Sequence, residues 1–172
     1  MIIENNNILI RKFKYEDIEA KVRIINDEKN NRFLHYDLPL EYKKTVNWFK
    51  NNINNNKRCD FTIEYHKKIA GFIGLLNLDE KNAKAEYYIC VDSLFSHKGI
   101  GYNASLMLLK YAFNKINLNK VYLYTEVSNI KAQLLFEKIG FKKEGLLKDD
   151  LIYSGKKICR YVYGMCKDDF YE

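Results

Sequence analysis

The sequence predicts a mixed α/β (α+β) domain with a largely antiparallel central sheet, one or two crossovers and about four flanking helices. Three observations carry that prediction. Apolar residues recur at helical spacing in four segments. They alternate with period two in several others. The two kinds interleave along the chain instead of segregating into halves. No Gly/Ser-rich linker or internal repeat divides the 172 residues, and Pro39 is the only proline, so one domain over residues 1–172 is expected.

Residues 8–13 form a short strand candidate. Ile18, Val22 and Ile25 then fall at i, i+4, i+7 and mark the apolar face of a first helix. Residues 30–40 mix polar side chains with aromatics and hold Pro39, which makes a loop. Tyr42, Val46, Phe49 and Ile53 repeat the helical spacing in a second helix, closed by the polar cluster at 54–57. The period next changes to two at Phe61, Ile63 and Tyr65. Residues 66–68 turn, and 69–76 return as a glycine-containing strand, completing a hairpin.

Residues 79–82 are the following turn and 86–91 a third strand. Leu106, Leu109, Phe113 and Ile116 set up a helix beginning near Gly101, and Met107, Leu108 and Tyr111 make it apolar on several sides, hence well buried. Residues 121–127 are a strand. Asn129 caps a fourth helix with the stripe Ala132, Leu135, Phe136 and Ile139. Segments 141–146 and 151–165 finish as strands.

Composition narrows the function classes. With 47% hydrophobic and 15% aromatic residues the chain is not disordered. With 30% charged residues and no apolar run near the ~18 of a spanning helix, no integral membrane protein is expected. The first ten residues carry Glu4 and three asparagines where a secretory signal needs a basic end and an apolar stretch. Cys59, Cys90, Cys159 and Cys166 lack metal or redox spacing, and three of them sit in apolar, strand-like surroundings as reduced thiols; a cytoplasmic location is the expectation. His35, His66 and His97 form no local cluster, so no metal is expected. The 29 Lys and Arg exceed the 22 Asp and Glu by seven, yet they are scattered with no run of five. Such a balance suits nucleic acid, an anionic membrane or a polyanionic small molecule, but scattered charges read first as a solvated surface with a positive bias, and no basic-aromatic segment or zinc spacing supports nucleic-acid binding.

The stretch that carries chemistry runs from 91 to 103: a strand, then Ser96-His97-Lys98-Gly99-Ile100-Gly101, then the buried helix. Glycines let the backbone approach a ligand closely, and a helix start offers unpaired N–H groups and the positive end of its dipole. Such a junction seats a pyrophosphate. It lacks both the third glycine of a dinucleotide fingerprint and the lysine-serine end of a nucleoside-triphosphate loop.

The pattern Val91-x-Ser93-x-Phe95-Ser96-His97-Lys98-Gly99-Ile100-Gly101 resembles the acetyl-CoA motif of the GCN5-related N-acetyltransferases. Downstream, Asn129-x-x-Ala132-x-x-Leu135-Phe136-Glu137-Lys138-Ile139-Gly140-Phe141 resembles that family's second signature. Residues 144–148 and 152–156 are similar to the branch of ribosomal-protein alanine, spermidine and flagellar amino-sugar acetyltransferases. The resemblance implies the family fold over nearly the whole chain, acetyl-CoA as cosubstrate without a metal, and direct acetyl transfer to a primary amine. The acceptor would be a small molecule such as an amino sugar, or a protein N-terminus. A non-catalytic acyl-CoA-binding or interaction module of the same fold is the alternative, and a monomer or homodimer is expected.

The same resemblance assigns the amides around His97, Lys98, Gly99, Ile100, Gly101 and Tyr102 to the pyrophosphate of coenzyme A. It gives the main chain of Val91 to the pantetheine arm, with Asn129 either touching that arm or simply capping its helix. Ser96 departs from the usual Gln or Arg, which shortens one donor to phosphate. Phe136 stands where many members have a tyrosine that protonates the departing thiolate, and phenylalanine has no such proton.

The acceptor must also lose a proton, because an amine of pKa ~10.4 is only about one part in a thousand neutral near pH 7. Tyr122, Tyr124 and Glu126 share one strand face, and Tyr124 occupies the position of a glutamate in the ribosomal-alanine members. Glu126 is the preferred base and Glu86 the second candidate. Acceptor walls in the family come from the first two helices, the loop between them and the final strands. Here that loop holds Phe33, His35, Tyr36 and Asp37 without an acidic cluster, which argues against a dedicated polyamine site.

Overall fold

The structure is a computed structural model that describes residues 2–5 and 7–171, with side chains from Asn7 onward. In chain order the elements are β1 (Ile2–Asn5), β2 (Ile8–Lys12), α1 (Ile18–Asn26), α2 (Glu28–Asn31), α3 (Tyr42–Asn52), β3 (Cys59–Tyr65), β4 (Lys68–Asp79), β5 (Lys84–Val91), α4 (Ile100–Asn114), β6 (Lys120–Glu126), α5 (Ile130–Ile139), β7 (Lys142–Tyr153), β8 (Lys156–Cys166) and α6 (Lys167–Tyr171). The eight strands share one sheet in the order β1-β2-β3-β4-β5-β6-β8-β7. Every pairing is antiparallel except β5 with β6, which are parallel because α4 carries the chain across between them.

Local chemistry explains most boundaries. His66 and Lys67, at φ 48° and 63°, make the two-residue β3–β4 turn whose twist suits a hairpin. Asn129 accepts the Ala132 N–H at 3.3 Å to start α5, and Gly140, at φ 112°, ends it. The two faces of the sheet are covered differently. On one, Ile10, Ile63, Ile73, Tyr87, Leu123 and Tyr163 pack with Leu108, Leu109 and Phe113 of α4 and with Phe136 and Ile139 of α5. On the other, Phe13 and Phe72 pack with Ile18 and Ile24 of α1 and with Val46, Trp48 and Phe49 of α3.

Several expectations need correction. Residues 151–165 are not one strand: Ser154 and Gly155, at φ 48° and 74°, break them into a hairpin of two long strands, a Ser-Gly turn signal that was present in the sequence. Asn30 lies inside a short helix, because the Asp27 side chain caps it by accepting the Lys29 N–H at 2.9 Å. The stripes on the first two long helices are wider than their spacing predicts: Ile18, Val22 and Ile25 of α1 and Val46 and Phe49 of α3 turn inward as expected, and Lys21, Ile24 and Thr45 join them. In α1 the buried set is Ile18, Lys21, Ile24 and Ile25. In α3 it is Thr45 that is buried, while Tyr42 and Ile53 at the ends are exposed. Lys21 takes its place in the core because Trp48 lies 3.9 Å from its ammonium, with the rings of Phe13 and Phe72 close by.

Candidate active site

β5 and β6 pair over only three positions, Lys84 with Lys120, Ala85 with Val121 and Glu86 with Tyr122. Beyond them β5 stays bonded to β4 and β6 to β8, so the two strands part and line opposite sides of a cleft of about 640 Å³. The Asp92 N–H donates to the Ala70 carbonyl at 2.8 Å across the β4 side. By alternation, the main-chain groups of Val91 and Ile89 face the parted edge, where β6 no longer meets them. That edge is a row of unused donors and acceptors suited to an extended amide chain.

At the end of β5 the chain turns sharply. Asp92, fully buried, accepts the Leu94 N–H at 3.1 Å and lies 3.0 Å from the Arg23 guanidinium of α1. Asn30 of α2 accepts the Ser93 N–H at 2.8 Å, tying a second helix to the same turn. His97 and Gly99 then adopt positive φ, 62° and 70°, and α4 begins. The first bond of its ladder runs from the Asn103 N–H to the Gly99 carbonyl at 3.0 Å, so the amides of Ile100, Gly101 and Tyr102 precede it. A Cβ on Gly101 would sit 3.3 Å from Leu135, 3.8 Å from Val91 and 3.9 Å from Ile89, all of which line the cleft. The missing side chain keeps the passage between β5 and α5 open.

All twelve residues singled out from the sequence line this cleft. Its charged lining comprises Lys29, Lys98, Lys131, Lys138 and Arg160 against Glu86 and Glu126, a positive balance that favours a phosphate-bearing ligand. Lys131, Arg160 and Tyr88 also line the cleft although nothing in their local spacing marks them, and Lys138 stands within the second signature without having been singled out. Asn129 is a helix cap through its side-chain oxygen and also stands on the rim. Phe136 is only 7% exposed; its ring lies 6.0 Å from Tyr87, 6.1 Å from Phe141 and 6.3 Å from Tyr163, so it is at once a core residue and a cleft wall.

The register sorts the two carboxylates onto one face. Glu86 opposes Tyr122, so Glu86, Tyr88, Tyr122, Tyr124 and Glu126 project from the side of the sheet covered by α1 and α3, away from α4. The Glu86 carboxylate accepts from Asn77 at 2.8 Å near the closed end of the wedge. Glu126 sits at the open end, where its Oε1 meets His35 Nε2 at 2.7 Å and its Oε2 accepts from Ser128 at 2.9 Å. Arg160, in register with Glu126, lies 4.6 Å from the Tyr124 ring and donates to Asp150 at 2.6 Å. The burial-raised Tyr122 phenol shares this face. Among the described residues no group of three or more His, Cys, Asp or Glu could hold a metal, all four cysteines are free, and no helix is long and apolar enough to cross a membrane.

A cleft that offers free strand edges and helix-start amides on one face of a sheet and carboxylates on the other fits an extended anionic cosubstrate meeting an amine. Comparison with known proteins agrees. Residues 7–142 match the family model described as an acetyltransferase (GNAT) domain. The Bacillus subtilis (strain 168) protein named "Putative ribosomal N-acetyltransferase YdaF" is 30% identical over 96% of this chain and 94% of its own length. The spermidine N(1)-acetyltransferase of Vibrio cholerae is 26% identical over 88% of each. In fold, the chain resembles the crystal structure of spermidine N-acetyltransferase from Vibrio cholerae in complex with CoA and spermine, with a TM-score of 0.90, 22% identity, and 98% and 100% of the two chains covered. The chain therefore belongs to the GNAT acetyltransferase family and is an N-acetyltransferase that uses acetyl-CoA.

Proposed function

We propose that the protein transfers acetyl directly to the primary amine of a small molecule or of a protein N-terminus. The single observation that carries this reading is the wedge between β5 and β6, which joins the two faces of the sheet at one point. On the α4 side, the amides of residues 97–102 would hold the pyrophosphate of coenzyme A, and His97 and Lys98 would add attraction from the rim. The Val91 main chain would pair with the pantetheine arm, and Asn129 would bound it. Ser96 is too short to replace a long side-chain donor, so the backbone cradle carries the binding. When bound, acetyl-CoA supplies an electrophilic thioester.

On the other face, Glu126 and Glu86 supply negative charge where an ammonium would arrive, and Glu126 is nearer the open end that an acceptor must enter. Phe136 excludes water beside the reacting centre and leaves the thiolate to take its proton from another source. The loop at 32–41 and the β7–β8 hairpin flank the entrance, and the Tyr153 hydroxyl donates to the Tyr36 carbonyl at 2.9 Å to join them. Turnover with acetyl-CoA should be measured against spermidine, an amino sugar and peptides with free N-termini. Binding of coenzyme A without acetylation of any of these amines would refute the reading.

A further inference from the structure

The geometry points to His35 as the group that takes the proton from the acceptor amine, with Glu126 as its positioning partner. This deepens the proposed amine acetyl transfer and rests on it. His35 comes from the loop between α2 and α3, ninety-one residues from Glu126, and both side chains are mostly buried in the cleft wall, 20% and 14% exposed. A carboxylate only accepts hydrogen bonds, so the 2.7 Å contact requires the hydrogen on Nε2. In the neutral ring, Nδ1 then keeps its lone pair, and among the described residues no hydrogen bond engages it.

The ring is held on its other side as well. Tyr153 of β7 packs edge-on at 5.2 Å, and its hydroxyl bonds the backbone next to His35. Ser128 occupies the second oxygen of Glu126, so the carboxylate is fixed by two donors and is poorly placed to leave its partner. Arg160 of β8, in register with Glu126, is paired with Asp150 of β7, and Lys29, Lys131 and Glu86 line the same cleft. A fixed carboxylate, an oriented imidazole and a free nitrogen form a base of the kind that carboxylate–histidine pairs supply in acyl transfer. Imidazole also suits the task, since histidine is the side chain most often used for proton transfer in a transition state.

The step balances. One N–H bond of the acceptor ammonium breaks, and an N–H bond forms at Nδ1. The imidazolium keeps its Nε2–H on Glu126, and the freed nitrogen lone pair becomes the nucleophile. Water takes the proton from the ring between turnovers.

Two measurements test this. The first needs no turnover: ¹⁵N NMR of the unliganded protein reads which His35 nitrogen carries hydrogen. An Nε2–H ring in the wild type is expected, with the population shifted toward Nδ1–H in Glu126→Gln, whose amide can donate. An Nδ1–H ring in the wild type overturns the inference. The second is the pH profile of kcat/KM with the panel amine that the wild type acetylates fastest. His35→Gln should lose about a hundredfold or more at pH 7 while the KM for acetyl-CoA holds. That deficit should shrink about tenfold per pH unit toward the amine's own pKa, because only the neutral amine then reacts. A loss equal at every pH means that His35 is only structural. A wild-type bend that survives in His35→Gln but vanishes in Glu126→Gln makes the glutamate the base. If no amine is acetylated, the proposed function fails, while the NMR result still decides the state of the pair.

Discussion

Gly101 offers the most direct handle on the cosubstrate side of the cleft. Its backbone is ordinary first-turn helix without positive φ, so any L-residue is sterically allowed by the main chain. Alanine there regains up to ~1 kcal/mol of helix propensity, reduced by the few tenths of an ångström that the Leu135 tip must give at 3.3 Å. Valine adds two further methyls into the space shared with Leu135, Val91 and Ile89. Overfilling of that kind costs ~1–3 kcal/mol, here imposed on the ligand more than on the open cleft. Coenzyme A affinity should therefore fall roughly 5- to 150-fold in Gly101→Val and only a few-fold in Gly101→Ala. Melting temperatures should stay within about 3 °C of wild type, since ~1 kcal/mol corresponds to ~2–4 °C at this size. Calorimetric titration with coenzyme A and a thermal melt on the same samples decide it. Undiminished affinity in a folded Gly101→Val protein would refute the seat at the start of α4.

Phe136→Tyr should raise or hold kcat with coenzyme A affinity unchanged, because one wall of that ring is cleft; a loss of ~1–3 kcal/mol without a rate gain would place the new hydroxyl unpaired in the core. Ser105 donates to the Gly101 carbonyl at 2.6 Å and accepts from the buried Tyr87 hydroxyl at 2.6 Å. Ser105→Ala orphans that hydroxyl and should cost ~1–3 kcal/mol, more than Tyr87→Phe at ~1 kcal/mol, and chemical denaturation showing the reverse order would count against this network. Burial pushes the Lys21 ammonium down to about 8, partly offset by Asp60. Between pH 8 and the ordinary 10.5 the unfolded chain therefore binds more protons, and stability rises with pH. Denaturation of wild type and Lys21→Met across that range should show the wild type gaining on the order of 1–3 kcal/mol relative to the variant, and a flat difference would mean that the lysine titrates normally.

How much of this was legible follows from the range over which each feature acts. Apolar spacing, the Asn129 cap, the turn after β3 and the glycine junction at 99–101 are set by contacts within a few residues, so the order of the main helices and strands and the strand–glycine–helix junction that lines the cleft could be read from the chain itself. Glu126 was legible as a candidate because its parity places it on one strand face with Tyr122 and Tyr124, and Glu86 because it enters the strand that leads to the glycine turn. Tertiary packing decided the rest. That β5 and β6 pair over three residues and then part depends on what each strand bonds on its other edge, which no local pattern encodes. Lys21 reads as a solvated residue on a helix until Trp48, Phe13 and Phe72 close around it from α3 and the sheet. His35 shows only as one polar residue of a loop. Its meeting with Glu126 required the fold to bring together positions ninety-one residues apart, and the bond between them is a property of that three-dimensional closure.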